Sequence, residues 1–222
     1  MKNSTTYWRS IGAMVGVILG GLVVPTLVLA QAVGNPAVAP LERNTFGNPY
    51  SEWSARWWQW ALSIPAAENP LLDTTGAHCT EGQGGQVWFL AGTFGGTATR
   101  NCAVPGGKAL FFPIINAAFG NGVGECPDPS DCDVTALRVS AAAAVDNPQT
   151  LRASIDGRPV KYLSQFRVTS PVFNAFLPVD NVLGQTPGTY GPLVADGYWL
   201  LLQSLSPGIH TIHFKGVSNT NF

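Results

Sequence analysis

The residues best suited to acid–base chemistry lie in a polar, glycine-rich segment from residue 73 to residue 86. His78 stands beside Cys79 there, with Asp73 and Glu81 close in sequence. An imidazole near a carboxylate can transfer protons at neutral pH, so His78 and Glu81 are candidate ligand-binding residues. Neighbours in a loop need not meet in space, and the sequence assigns no catalytic residue.

A second group of carboxylates lies between Cys126 and Asp133. Asp128, Asp131 and Asp133 could offer oxygen ligands to a hard cation such as calcium, within a loop closed by Cys126 and Cys132. The spacing matches no calcium-loop signature, and Asp133 is placed to cap a helix. Solvated turn aspartates are therefore the alternative to a metal site.

Two tryptophans are candidate ligand-binding residues because an indole ring can stack on a sugar ring. Trp53, Trp57 and Trp60 recur at helical spacing and predict the buried stripe of an amphipathic helix. Trp58 lies off that stripe and is the better candidate for an exposed ring that faces a ligand. Trp88, in a short apolar run, is the second candidate.

Standard hydrolytic motifs are missing from the sequence. It contains no G-x-S-x-G and no H-E-x-x-H, and its glycine-rich segments lack the lysine of a phosphate loop. Glycoside hydrolysis needs only two suitably spaced carboxylates. A glycan-directed hydrolase is therefore the alternative to a non-enzymatic binding protein, although the sequence alone cannot pair the available carboxylates, which are Glu52, Glu68, Asp73, Glu81 and Glu125.

The four cysteines predict disulfides rather than a zinc site, because none are spaced as C-x-x-C. Three pairings are possible. The favoured pairing joins Cys79 to Cys102 and Cys126 to Cys132, since each pair brackets a segment expected to turn back on itself. The wider pair would add about 3 kcal/mol of stability in the chain-entropy model.

The N-terminus has the layout of an export signal. Lys2 and Arg9 precede an uncharged apolar run over residues 11–30, and small residues follow at Ala30-Gln31-Ala32. This pattern predicts a signal peptide over residues 1–32, cut after either alanine. A retained membrane anchor is the alternative, and membrane association is expected only in that case.

Composition favours a loop-rich extracellular β protein. Charged residues make up 11% of the chain, while it contains 25 glycines and 17 prolines. The formal net charge is −1, and no basic patch exists to bind phosphates, so nucleic acid is a poor partner. No cofactor is expected apart from the calcium considered above.

The first regular element predicted is a helix that starts near Pro49, capped by Asn48, and ends near Ser63. Glu52 and Arg56 are four residues apart on its polar side, in the favourable order for an ion pair. A second helix is predicted from Asp133 to about Val145.

The remaining periodic segments predict strands. Pro113 marks a bulge or an edge within one of them. Two hairpins are expected, one around Asp156-Gly157 and one around Pro207-Gly208, and residues 116–132 are expected to form a loop. The predicted strand segments are 87–93, 108–115, 151–155, 160–163, one or two within 166–176, 197–205 and 209–217.

Together these elements predict a mainly β protein, an antiparallel β-sandwich with two accessory helices and stabilising disulfides. Residues 33–48 form an extended lead-in, and residues 49–222 form a single β-rich domain. The chain stops five residues after Val217, so a sheet whose next strand lay beyond that point would keep an unpaired edge.

Several motifs resemble those of a family of uncharacterised secreted bacterial proteins. The resemblance covers most of the chain after the leader and implies a bacterial envelope or secreted setting, but no activity. The motifs are Trp58-x-Trp60-x-x-Ser63-x-Pro65, Cys79-x-x-Gly82-Gln83, Val87-Trp88-Phe89-Leu90, Gly107-Lys108-x-Leu110-Phe111-Phe112-Pro113-Ile114-x-Asn116 and Pro207-Gly208-x-His210-x-Ile212-x-Phe214-x-Gly216.

The sequence therefore predicts a secreted or periplasmic protein that binds or scaffolds. Its ligand is unknown, with a neutral glycan or an envelope component as candidate partners.

Overall fold

The computed structural model describes residues 37–123 and 133–219, together with the backbone of Asn3–Ser10. Within these ranges the protein is mainly β, with ten strands in two sheets, two α-helices and a disulfide, as predicted. The helices are α1 (Tyr50–Leu62) and α2 (Val134–Val145). The strands are β1 (Asn3–Ser10), β2 (Val87–Phe89), β3 (Gly96–Asn101), β4 (Ala109–Gly120), β5 (Thr150–Ile155), β6 (Arg158–Pro159), β7 (Arg167–Thr169), β8 (Phe173–Leu177), β9 (Gly188–Leu202) and β10 (His210–Val217).

Both sheets are mixed rather than wholly antiparallel, which corrects the prediction. The first sheet has the order β3-β1-β10-β5-β6, and β1 runs parallel to β3. The second sheet has the order β2-β4-β9-β7, with β8 also paired to β9, and β2 runs parallel to β4. A parallel pair needs a crossover between its strands, and between β2 and β4 the chain crosses to the first sheet and back through β3.

The hairpin predicted around Pro207-Gly208 is wrong, because β9 and β10 belong to different sheets. Residues 193–202 of β9 are all buried, which is the pattern of a strand covered on both faces. The turn after Leu202 therefore carries the chain from one sheet to the other. The other predicted hairpin, around Asp156-Gly157, is present as β5–β6, but its second strand is Arg158–Pro159 rather than the predicted residues 160–163.

Helix α1 has the predicted bounds and the predicted buried face. Trp53, Trp57 and Trp60 are all buried, and Trp57 Nε1 donates to the Leu90 carbonyl at 3.0 Å. The capping residue differs from the prediction, because Pro49 occupies the cap position and no side chain caps the helix.

The Asn48 side chain instead donates to the Phe46 carbonyl and accepts from Arg56. Arg56 also forms the predicted ion pair with Glu52, at 3.2 Å.

Two further predictions are confirmed in local detail. Asp133 caps α2 by accepting a hydrogen bond from the Thr135 backbone N–H at 2.9 Å. Strand β4 has a bulge between Pro113 and Ile115. However, β4 continues to Gly120, so residues 116–120, predicted as loop, are strand.

The second sheet is packed on both faces. On one face, Phe111 of β4 stacks on Trp199 of β9 with ring centroids 5.1 Å apart, and Trp199 contacts Trp57 of α1. On the other face, Phe112 meets Phe214 of β10 at 4.8 Å. The second sheet therefore lies between α1 and the first sheet.

The predicted Cys79–Cys102 disulfide is present and joins the loop after α1 to the end of β3. Cys126 and Cys132 lie outside the described residues. Among the described helices, none is long and apolar enough to span a bilayer, and the apolar run at residues 11–30 lies outside the described residues.

Candidate binding cavity

A cavity of about 410 Å³ lies along one side of β4. β2 pairs with β4 only as far as Phe111, so residues 113–119 have β9 on one side and no named strand on the other. These seven consecutive residues all line the cavity, as does the loop of residues 92–95 that continues from β2. Because β2 ends early, no named strand fills the space beside residues 113–119, and the cavity lies there.

The cavity is closed above and below by α1 and by the first sheet. Trp57 and Trp58 line it from α1, and Gly216 lines it from β10. A Cβ atom at Gly216 would collide with the carbonyl oxygen of Ile114. The absence of a side chain there lets β10 approach β4 closely and close this end of the cavity.

Trp58 is buried rather than exposed, which corrects the prediction of an exposed ring. It is 8% exposed and meets Trp57 edge to face, with ring centroids 5.2 Å apart. The helical period correctly placed Trp58 off the main stripe. Its position is covered because the wall formed by residues 92–95 and 113–119 lies beside α1, and periodicity carries no information on such long-range neighbours.

The lining is mostly apolar, with Thr93, Asn116 and Ser218 as its polar side chains. Among the described lining residues there is no Asp, Glu, Lys, Arg or His. The Ser218 hydroxyl donates to the Ala144 carbonyl at 2.9 Å. A charged group that entered this space would lose its hydration without gaining an ionic partner, which costs several kcal/mol.

Two of the lining residues carry hydrogen-bond donors without a partner. Among the described residues, five buried side-chain polar atoms have no hydrogen-bond partner: Thr45 Oγ1, Trp58 Nε1, Trp88 Nε1, Asn116 Nδ2 and Trp199 Nε1. Of these residues, Trp58 and Asn116 line the cavity. Buried polar groups without partners are rare in folded proteins, so each of them calls for an explanation.

Asn116 was not predicted as a site residue, because residues 116–132 were expected to form a loop. A signal exists in the sequence: Asn116 directly follows the apolar run from Ala109 to Ile115, so it can continue that strand as a single polar side chain. A single polar side chain at the end of an apolar strand is a candidate for a hydrogen bond inside an otherwise apolar surface.

The predicted acid–base group around His78 is arranged as a turn. Asp73 accepts hydrogen bonds from the backbone N–H groups of Thr75, Gly76 and His78 and from the Thr75 hydroxyl. Burial opposes the charge on Asp73, but these hydrogen bonds outweigh it and lower its pKa. Asp73 thus contacts the backbone of His78, and Glu81 contributes its carbonyl to the Trp60 indole at 2.9 Å.

The other predicted site residues lie apart from the cavity. Trp88 is buried on β2 and does not line it. Glu52 is paired with Arg56 on the polar face of α1. Glu125, Asp128 and Asp131 lie outside the described residues. Among the described residues, no three His, Cys, Asp or Glu side chains are grouped closely enough to hold a metal ion.

A histidine, an aspartate and a serine come together between the turns after β5 and β9. His210 Nδ1 lies 2.7 Å from Asp156 Oδ2, and His210 Nε2 lies 3.4 Å from the Ser206 hydroxyl. The order of groups is that of a hydrolytic triad. However, Nε2 is closer to the Ser206 carbonyl oxygen, at 2.8 Å, and a carbonyl can only accept.

Both ring nitrogens of His210 therefore donate, which requires the imidazolium. Burial opposes that charge, but the hydrogen bonds to Asp156 and the Ser206 carbonyl outweigh it and raise the pKa of His210. In this arrangement Nε2 is directed to the Ser206 carbonyl rather than held as an acceptor for the serine proton, which a general base requires. It fastens the turn after β9 to the turn after β5.

A partly buried group of charges, in which Asp196 is the buried member, has a similar structural role. Arg167 Nε contacts Asp196 at 2.8 Å, and Arg167 Nη1 contacts Asp146 at 2.6 Å. Asp196 also accepts from the Thr169 hydroxyl at 2.7 Å. These contacts join β7 and β9 to the end of α2.

The apolar cavity is thus the best candidate for a functional site in the described part of the chain. Comparisons of the chain with family models, with curated proteins and with solved structures find no match.

Proposed function

We propose that this protein is an exported β-sandwich binding protein that holds an apolar small molecule in the cavity along β4. The observation that carries the proposal is the cavity itself, about 410 Å³ in volume and lined without charged residues in the described ranges. Ligand sites in proteins commonly have 300–1,000 Å³ and mostly apolar walls, with a few polar groups that orient the ligand.

The sandwich arrangement is supported by contacts between the two sheets. Phe112 and Phe214 pack ring to ring across them, and β10 approaches β4 at Gly216. Two sheets packed in this way leave a space wherever one strand ends early, and here β2 ends at Phe89. On this reasoning the cavity follows from the arrangement of the strands.

Export to the periplasm or the cell exterior is supported by the leader pattern at residues 1–32 and by the Cys79–Cys102 disulfide. An envelope lipid or another apolar compound fits the lining better than a neutral glycan, because a glycan needs many hydrogen-bond partners. A binding role without catalysis agrees with the arrangement of His210, in which the ring acts as a donor on both sides.

The test uses 1,6-diphenylhexatriene, a neutral hydrocarbon dye that fluoresces in apolar surroundings. We expect saturable binding with one site per chain, accompanied by energy transfer from tryptophan, since Trp57 and Trp58 line the cavity. The variant Ala117→Phe places a large ring on the β4 wall and should weaken binding at least 10-fold. Ala136→Phe, at an exposed position on α2, is the matched control and should bind as the parent does.

Two results would overturn the proposal. One is the absence of saturable dye binding by the folded protein. The other is equal loss of binding in both variants when circular dichroism shows that both are folded.

A further inference from the structure

The two unpartnered donors at the cavity suggest what kind of molecule it holds. From Trp58 and Asn116 we infer that the ligand is an uncharged, largely apolar molecule carrying an oxygen acceptor, such as an ester or ketone carbonyl, to which Trp58 Nε1 and Asn116 Nδ2 donate. This inference rests on the proposed function and adds the chemical class of the ligand.

The first step of the argument is the state of the donors in the unliganded protein. Trp58 Nε1 and Asn116 Nδ2 are covered by protein and have no hydrogen-bond partner among the described residues. Leaving a buried donor unsatisfied costs about 1–3 kcal/mol. A bound acceptor removes this cost if the side chains move so that a donor reaches it, and a molecule with an oxygen then gains binding energy that a pure hydrocarbon does not.

The second step is the chemical type of the two groups. An indole N–H can only donate, and the free atom of Asn116 is its amide nitrogen, also a donor. These two atoms call for an acceptor on the ligand. A carbonyl oxygen has two lone pairs and can accept from an N–H donor of this kind.

The third step is the absence of ionic partners. No acidic, basic or histidine side chain is found among the described residues that line the cavity. A carboxylate would be accepted by two N–H groups but would keep a buried negative charge without a cation. An ammonium would find neither an anion nor enough acceptors. The neutral carbonyl compound is the class that satisfies both donors at the lowest desolvation cost.

The structure also supplies an internal control. Trp88 is a second buried tryptophan whose Nε1 has no hydrogen-bond partner among the described residues, but it does not line the cavity. The substitution Trp→Phe can thus be made at both positions with the same loss of one N–H. Only the change at Trp58 should alter ligand binding.

The experiment measures displacement of diphenylhexatriene at pH 8 by three probes of similar chain length: methyl decanoate, decanoate and decylammonium. We expect methyl decanoate to displace the dye at least 10-fold more effectively than either ion, compared at equal free concentrations below their micelle-forming range. Trp58→Phe and Asn116→Leu should each lower the affinity for methyl decanoate 2- to 10-fold, which corresponds to the net free energy of one hydrogen bond. Because both residues line the cavity, each variant's affinity for methyl decanoate is expressed relative to its own affinity for the dye, which has no acceptor. Trp88→Phe should leave both affinities unchanged.

Urea unfolding of the ligand-free variants measures the structural cost of each change, since Trp58→Phe and Asn116→Leu also alter buried packing. The inference is overturned if decanoate or decylammonium equals methyl decanoate, or if the two variants bind methyl decanoate as the parent does. In either case normal dye binding would leave the proposed function intact, whereas loss of dye binding in the parent protein would refute both.

Discussion

Arg100 offers the sharpest test of how the segments at residues 70–73 and 91–92 are held together. Its side chain is fully buried on β3 and donates to four backbone carbonyls. Nε donates to Asp73 at 2.6 Å, Nη1 to Ala91 at 2.8 Å, and Nη2 to Pro70 and Gly92, both at 2.9 Å. Burial lowers the pKa of Arg100 to about 10, so the guanidinium remains protonated at neutral pH.

The expected cost of Arg100→Met follows from these contacts. Four hydrogen bonds to a charged donor contribute about 1.5–3 kcal/mol each, or about 6–12 kcal/mol together. These values are already net of desolvation, and four bonds from one guanidinium contribute less than their sum. We therefore expect a loss of about 4 kcal/mol, at the upper end for a single substitution and a large part of the 5–15 kcal/mol that typically stabilises a domain.

The measurement is urea unfolding of the oxidised protein, followed by tryptophan fluorescence. Arg152→Met, at an exposed position on β5, is the control and should change stability by less than about 0.5 kcal/mol. Arg100→Lys should fall between the parent and Arg100→Met, because an ammonium has three donors in place of the planar guanidinium fork.

Arg100 also bears on binding, since one of its acceptors is the carbonyl of Gly92, which lines the cavity. Dye affinity should therefore fall in any Arg100 variant that still folds. A loss of stability under 1 kcal/mol in Arg100→Met would refute the reasoning, because it would mean that the four carbonyls find other partners.

Three further predictions concern pH and the disulfide. Because the pKa of His210 is raised in the folded protein, its contribution to folding stability is full below about pH 6.5 and is lost as pH rises through the raised value. In urea titrations the difference in stability between the parent and His210→Gln should therefore narrow from pH 6 to pH 9. A constant difference would contradict this. Because the pKa of Asp73 is lowered, its contribution to folding stability is full above about pH 3.8 and is lost as pH falls through the lowered value. Thermal unfolding should therefore show that Asp73→Asn destabilises the protein at pH 7 and progressively less towards pH 2. Replacing Cys79 and Cys102 together by serine should cost about 3 kcal/mol, and an unchanged urea midpoint would show that the bridge does not limit the unfolded chain.

The parts of the fold that the sequence predicted well are those set by local chemistry. Helix α1 follows from the spacing of its tryptophans, and α2 follows from its Asp133 cap. The bulge in β4 follows from Pro113, which lacks a backbone donor. In each case the determining interaction spans a few residues, so it can be seen in the sequence.

The predictions that failed depend on partners distant in sequence. β3, with the sequence Gly-Thr-Ala-Thr-Arg-Asn, was not predicted because its apolar content is low, and its pairing comes from β1. The assignment of β9 and β10 to different sheets depends on which faces are covered, not on the turn between them. The burial of Trp58 and the role of Asn116 depend in the same way on a wall assembled from segments far apart along the chain.

The position of β1 links processing of the chain to completion of the first sheet. β1 lies between β3 and β10 and pairs with both, so those two strands stand two strand spacings apart, about 9.6 Å. Residues Asn3–Ser10 fall within the segment predicted as a signal peptide, residues 1–32. If that segment is removed, a gap one strand wide is left between β3 and β10, with backbone donors and acceptors exposed on both sides.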